Sequence, residues 1–242
     1  LKIIYLEKNI GLAGAMNVGI SDCENSSFDW ILTLDQDSIL SENMLSSMLE
    51  SYNKCREFLN IGIISPVYKD INAGVVGSNP VINNNKFSTC CEVEYAITSG
   101  SLIKYDIFKK IGLFEDKYFI DFIDIEFCLR LRLYGYSVMQ VNNAILFHEL
   151  GRSAKKKFLW RECVATNHSP LRKYYFYRNA ILTYKKYFIS YKFWMLRSVL
   201  TLFKTLLVVA LYEDNKVKKF AAFFYGILDG FLGRSGECKR YF

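Results

Sequence analysis

The chain has 242 residues, 51% of them apolar and only three proline, which excludes a disordered or linker-rich protein and suits one large α/β domain with or without an appendage. Its net charge of +7 is unevenly laid out: residues 1–150 carry 12 Lys and Arg against 19 Asp and Glu, and residues 151–242 carry 19 against 5. An acidic body followed by a basic region implies an anionic surface as partner, and the interleaving of the basic residues with long apolar runs argues against nucleic acid. Seven cysteines, with no C-x-x-C pair and no zinc spacing, read as reduced thiols of a cytoplasmic protein.

Residues 1–6 read as a short strand and not as the long apolar core of a signal peptide, and a chain that opens directly in a strand implies a further segment upstream. Asn-Ile-Gly-Leu-Ala-Gly-Ala-Met-Asn-Val-Gly-Ile (9–20) is a glycine-spaced entry to a helix. Gly11 and Gly14 would let backbone approach a ligand, and Asn17 could donate to it from the first turns. The spacing is not a dinucleotide fingerprint, and helix packing explains the glycines equally well.

Trp-Ile-Leu-Thr-Leu-Asp-Gln-Asp-Ser (30–38) organises the rest. Its apolar part predicts a buried strand in mid-sheet, ending in Asp35 and Asp37 at the carboxyl end where open α/β sheets bind ligands. On an extended backbone residues i and i+2 share a face, so both carboxylates could meet one hard cation. A helix over 42–58 and a buried strand from 61 to 67 follow. Residues 92–98 read as a strand ending in Ser99 and Gly100, whose small size would keep a cleft open. Residues 106–112 form a short helix closed by Gly112.

The second acidic cluster, residues 118–132, places Asp121 as a helix cap and Asp124 and Glu126 in the first turn of the helix that carries Arg130. Aromatic neighbours would partly desolvate Asp124, which suits a general base. Residues 135–148 read as a strand pair ending in His148, one of two histidines and placed as a metal ligand would be. The basic stretch 151–157, with Arg152, reads as a flexible loop able to close over a diphosphate. Residues 193–212 are nearly long enough to span a bilayer, but Arg197, Thr201, Lys204 and Thr205 fall on one face, which favours a helix lying in the membrane interface; a buried helical pair is the alternative.

Two acids for a metal, a later acid at a helix start and a histidine at a strand end describe a nucleotide-sugar site. With the segments 9–20, 34–38, 98–103, 119–130, 148–151, 174–179 and 226–230, the sequence resembles the inverting family 2 glycosyltransferases of GT-A fold, in their bacterial rhamnosyltransferase branch. The Asp-Gln-Asp-Ser form of the acid motif points to that branch. The resemblance implies a Rossmann-type mixed sheet flanked by helices over residues 1–157, lacking its first βαβ unit, and a helical, membrane-associating region over 158–242. It implies Asp35, Asp37 and His148 as metal ligands for Mg²⁺ or Mn²⁺, with Asp37 the more direct. Asp124 matches the catalytic base, although Ile123 replaces the usual preceding acid. Gly11, Gly14, Asn17, Asp35 and Arg152 fall to the nucleotide-sugar, and Ser99, Gly100, Asp121, Glu126 and Arg130 to the acceptor. The implied donor is dTDP-L-rhamnose, and the implied acceptor is a saccharide on a lipid diphosphate at the inner leaflet of the plasma membrane. The rivals are a UDP-sugar hexosyl- or galactofuranosyltransferase and a non-catalytic membrane-bound remnant.

Overall fold

A computed structural model describes residues 2–24, 27–71, 74, 76–77, 79–83, 89–148, 154–158 and 161–242. The chain divides into two compact units: a sheet unit of residues 16–114 and 124–149, and a helical unit of residues 1–15, 115–123 and 150–242. Segments from the start and middle of the chain therefore belong with its C-terminal helices.

The sheet unit holds β1 (Trp30–Leu32), β2 (Ile39–Leu40), α2 (Met44–Cys55), β3 (Ile61–Asp70), β4 (Val76–Gly77), β5 (Val81–Asn83), β6 (Cys90–Val93), β7 (Leu102–Lys104), α3 (Tyr105–Ile111) and β8 (Ser137–His148), with nearly all of α4 (Ile123–Leu133). Helix α1 (Gly11–Asp22) enters it from the other unit. The sheet runs β1-β7-β3-β8-β6-β5, with β2 on β8 and β4 on β3; among the described residues only the β3–β8 ladder is parallel. Its core joins Met44, Met48 and Cys55 of α2 to Ile61, Ile64, Leu102, Met139, Val141 and Leu146 of the strands. Met44 and Met48 stand one helical turn apart on α2, and the first six residues of β3 are all buried, as the continuous apolar run in the sequence implies.

Three expectations are corrected here. β1 is half-buried and pairs with β7 alone, so it is an edge strand among the described residues. Residues 2–6 form no strand; Ile3, Ile4, Tyr5 and Leu6 are exposed, since an apolar run becomes a strand only where another strand accepts its hydrogen bonds. Residues 137–148 are one strand, not two, with a bulge: Pro66 opposes Val141 while Val67 opposes Ile145, so the intervening residues of β8 are extra. The bulge lets β6 pair with the first half of β8 and β2 with the second.

In the helical unit, β9 (Ala154–Phe158) and β10 (Arg161–Ala165) form an antiparallel hairpin, so the basic stretch 154–157 is a strand and not a loop. Then come α5 (Pro170–Tyr187), α6 (Lys192–Tyr212) and α7 (Lys216–Phe231). Ser169 caps α5, accepting from the Arg172 N–H at 3.2 Å, and Pro170 opens it with its φ already set. Helices α5 and α7 approach closely because α7 carries glycines there: a Cβ at Gly226 would lie 2.7 Å from the Tyr174 carbonyl, and one at Gly230 2.7 Å from Ile181. Asp229, between them, is buried and receives Tyr174 Oη at 2.9 Å and Arg234 at 2.9 Å.

Helix α6 is the exception to burial. It is long and apolar enough to cross a membrane, yet buries mainly Trp194, Leu202 and Val209. It exposes Phe193, Leu196, Leu200, Phe203, Leu207 and Leu211 along one stripe, and with α5 and α7 it frames an apolar groove of about 740 Å³.

Candidate functional site

The Asp35–Ser38 segment is a hydrogen-bonded turn, with the Ser38 N–H donating to the Asp35 carbonyl at 3.2 Å. The two acids thus sit at the first and third positions of a turn, and the pleat of an extended strand does not align them as the sequence suggested. Asp35 is half-buried and Asp37 exposed. The loop from Thr98 to Ser101 holds this turn. Ser99 Oγ receives the Asp35 N–H at 3.1 Å and lies 2.6 Å from Ser38 Oγ, while the Gly100 N–H donates to the Thr33 carbonyl at 2.7 Å. Ser99 is 2% exposed, so its small side chain supports the acidic turn and does not widen a cleft. Gly100 has φ +78°, and a Cβ there would come within 2.9 Å of Pro66.

The next two residues after the turn pair with β8, Ile39 opposite Phe147 and Leu40 opposite Leu146. Continuing that register brings the backbone of His148 opposite Ser38, so the acidic turn and the end of β8 meet at one end of the sheet. The His148 side chain and all of Arg152 lie outside the described residues.

Asp124 stands at the start of α4, half-buried, with Oδ1 accepting the Ile125 N–H at 2.8 Å. Glu126 is fully buried and binds Arg130 at 2.9 Å. Arg130 also donates to the Ile111 and Leu113 carbonyls at 2.7 and 2.8 Å, closing the C-terminus of α3. Of the residues expected at the acceptor, Arg130 thus holds backbone carbonyls and Glu126 pairs with Arg130. Asn17 is similar: its amide donates to the Phe114 carbonyl at 2.9 Å and accepts the Phe114 N–H at 3.0 Å. Gly14 packs on Ile10, and Gly11 (φ +80°) leaves room for the Phe119 carbonyl, which would meet a Cβ at 2.6 Å. That carbonyl takes the Leu12 N–H at 2.7 Å. For these glycines the packing explanation is the one the structure displays.

The residues missed by sequence are those that hold the loop before Asp124. Phe119, Asp121 and Phe122 all have φ between 63° and 67°, a left-handed conformation that costs a side-chain-bearing residue. Asn179 Nδ2 donates to the carbonyls of Tyr118, Ile120 and Asp121 at 2.8 to 2.9 Å. Arg178 reaches the Tyr118 carbonyl at 3.0 Å and the Gly236 carbonyl at 2.7 Å. Asp121 does not cap α4; it faces α5 and binds Arg172 Nε at 3.2 Å. Burial raises the Asp121 carboxyl above its usual range, against the pull of Arg172. The Arg-Asn pair at 178–179 falls inside a segment that carries the family resemblance, which was the available signal.

The donor set of the turn, carboxylate oxygens only, fits a hard divalent cation such as Mg²⁺ or Mn²⁺. Among the described residues no three His, Cys, Asp or Glu side chains gather into a complete cage, so substrate oxygens or His148 would have to finish the coordination.

Residues 1–112 match the family model described as Glycosyl transferase family 2. Over 246 residues the chain is 28% identical to the dTDP-rhamnosyl transferase RfbF of Shigella flexneri, covering 97% of this chain and 79% of that protein. The first 112 residues are thus similar to family 2 glycosyltransferases, and nearly the whole chain is similar to a dTDP-rhamnosyl transferase. Two solved structures share the fold of this chain. GalNAc-T7 with UDP, GalNAc and Mn²⁺ superposes at TM-score 0.57 and 13% identity, over 80% of this chain and 38% of that one. S. aureus TarS in complex with UDP-GlcNAc gives 0.51 at 12% identity, over 96% and 56%. The chain spans about two fifths to just over half of these solved chains, and their likeness identifies a mixed α/β sheet of GT-A type followed by C-terminal helices.

Proposed function

We propose that this glycosyltransferase moves L-rhamnose from dTDP-L-rhamnose to a saccharide acceptor of a cell-surface polysaccharide, with inversion at the anomeric carbon. The observation that carries the reading is the similarity to the dTDP-rhamnosyl transferase RfbF along nearly the whole chain. Asp35 and Asp37 would hold Mg²⁺ or Mn²⁺ with His148. When bound, the ion supplies positive charge against the leaving diphosphate. Asp124, half-buried at the start of α4, takes the proton from the attacking acceptor hydroxyl. Ser99 and Gly100 fix the acidic turn, and Arg178 and Asn179 fix the loop that leads into Asp124.

The exposed stripe of α6 and its apolar groove support a peripheral seat on the cytoplasmic membrane face, where a lipid-diphosphate-linked acceptor would be met. A donor panel tests the reading: dTDP-L-rhamnose should be consumed with release of dTDP, and UDP-hexoses should not. Turnover of a UDP-hexose in preference to dTDP-L-rhamnose would overturn the donor assignment, and no turnover of any donor with a lipid-diphosphate saccharide would overturn the transferase reading.

A further inference from the structure

Within the helical unit, the first turns of α5, one face of α6 and the end of β10 enclose a cavity of about 490 Å³. Its walls carry His168, Arg172, Lys173, Lys204, Asp121 and Glu213. The stripe on α6 that looked in sequence like the watered side of an interfacial helix lines this cavity in part, through Thr201, Lys204 and Thr205.

The charges do not cancel. Glu213 is 2% exposed and receives Lys173 at 3.0 Å and Lys219 at 2.9 Å, so one carboxylate serves two ammonium groups. Arg172 binds Asp121 through Nε alone; its two terminal nitrogens meet no acceptor among the described residues. Lys204 is exposed and likewise has no acceptor among them. His168 has no hydrogen-bond partner among the described residues. Burial, reinforced by Arg172, Lys173 and Lys219, pushes its pKa down to about 3, so it is neutral in a cationic surrounding. Among the described residues, Arg172, Lys173 and Lys204 on the wall and Lys219 behind it outnumber the carboxylates Asp121 and Glu213 by two, a surplus that matches a doubly charged oxyanion. A guanidinium with its fork open and two lysines are donors suited to phosphoryl oxygens.

We propose that this cavity binds a phosphoryl group of the acceptor. The anion site rests on the cavity itself; its assignment to the acceptor rests on the transferase reading above. A bound phosphoryl group would share Arg172 with Asp121. Asp121 lies in the left-handed loop three residues ahead of Asp124, so occupancy is felt in the segment that positions the base.

Only two histidines occur in the chain, so ring-labelled histidine in the full chain reports the site directly, with His168→Gln assigning the signal. Inorganic pyrophosphate in metal-free buffer should shift the His168 signal saturably, and Lys204→Met, an exposed substitution, should weaken the midpoint about tenfold or more. No saturable shift, or a midpoint that Lys204→Met leaves unchanged while the variant melts like the parent, overturns the site. Farnesyl diphosphate displacing pyrophosphate, with dTDP failing to do so, supports the acceptor as source. Displacement by dTDP instead overturns that source. Retained pyrophosphate binding in a chain that transfers no sugar from any donor supports the site while removing the transferase reading.

Discussion

At the scale of single residues, the acids announce themselves and their holders do not. Asp124 was legible because it stands at a helix start within an acidic cluster. Asp124→Asn should abolish sugar transfer while leaving nucleotide affinity within about twofold, since the base acts on the acceptor proton and not on the donor; surviving transfer would remove the base assignment. Asn179 and Arg178 act from about 60 positions further along the chain, a distance no local pattern spans. Asn179 donates to three loop carbonyls, so Asn179→Ala should cost about 2 to 4 kcal/mol in urea unfolding. A loss below about 1 kcal/mol would mean that the left-handed loop holds itself. His168 gives a pH signature. Its folded pKa of about 3 lies below the ordinary value of 6.5, so on acidification the unfolded chain takes up the proton first. Stability should therefore fall as pH drops from about 6.5 toward 3, by at most about 1.4 kcal/mol per pH unit from this group. His168→Gln should flatten that slope in chemical unfolding followed across pH, and an unchanged slope would show that His168 titrates alike in both states.

At the scale of elements, periodicity located α2, α3, β3 and α4 within a few residues, because each buries one face against the sheet core. It misplaced β1 and split β8. An apolar run looks alike at the edge and in the middle of a sheet, and a bulge is set by what β6 and β2 must both pair with. Helix α6 was legible as amphipathic, yet the sequence could not say that its polar face lines a cavity. Its apolar stripe is the testable part. Leu200→Glu with Leu207→Glu removes apolar contact from the middle of the stripe at exposed positions, so folding should change by less than about 1 kcal/mol. Sedimentation with anionic vesicles should fall several-fold, because both the buried apolar area and the charge balance move against insertion. Equal sedimentation of parent and variant would place membrane contact elsewhere.

At the scale of the whole molecule, the charge asymmetry read from the sequence runs roughly along the division into two units. The acidic first 150 residues supply most of the sheet unit and its carboxylate turn, and the basic remainder supplies the cationic cavity and the apolar helices. The interleaving of the two units was invisible beforehand, because segments 1–15 and 115–123 join the helical unit through long-range contacts such as those of Leu12 with Phe119 and of Asn179 with Tyr118. The proposed donor turn and the proposed acceptor cavity fall in different units, which makes them separable by measurement. With Mn²⁺ present, dTDP at one hundred times its dissociation constant should stabilise the full chain by about 2.7 kcal/mol, and UDP by markedly less. Removing the metal with EDTA, or replacing Asp37 by Ala, should erase the dTDP shift. Neither change should alter pyrophosphate binding near His168, because every residue assigned to that cavity lies in the helical unit and Asp37 does not. A dTDP shift that survives both changes would show that the carboxylate turn does not hold the nucleotide through a metal. The basic helical unit would then be the first place to look for the diphosphate contacts.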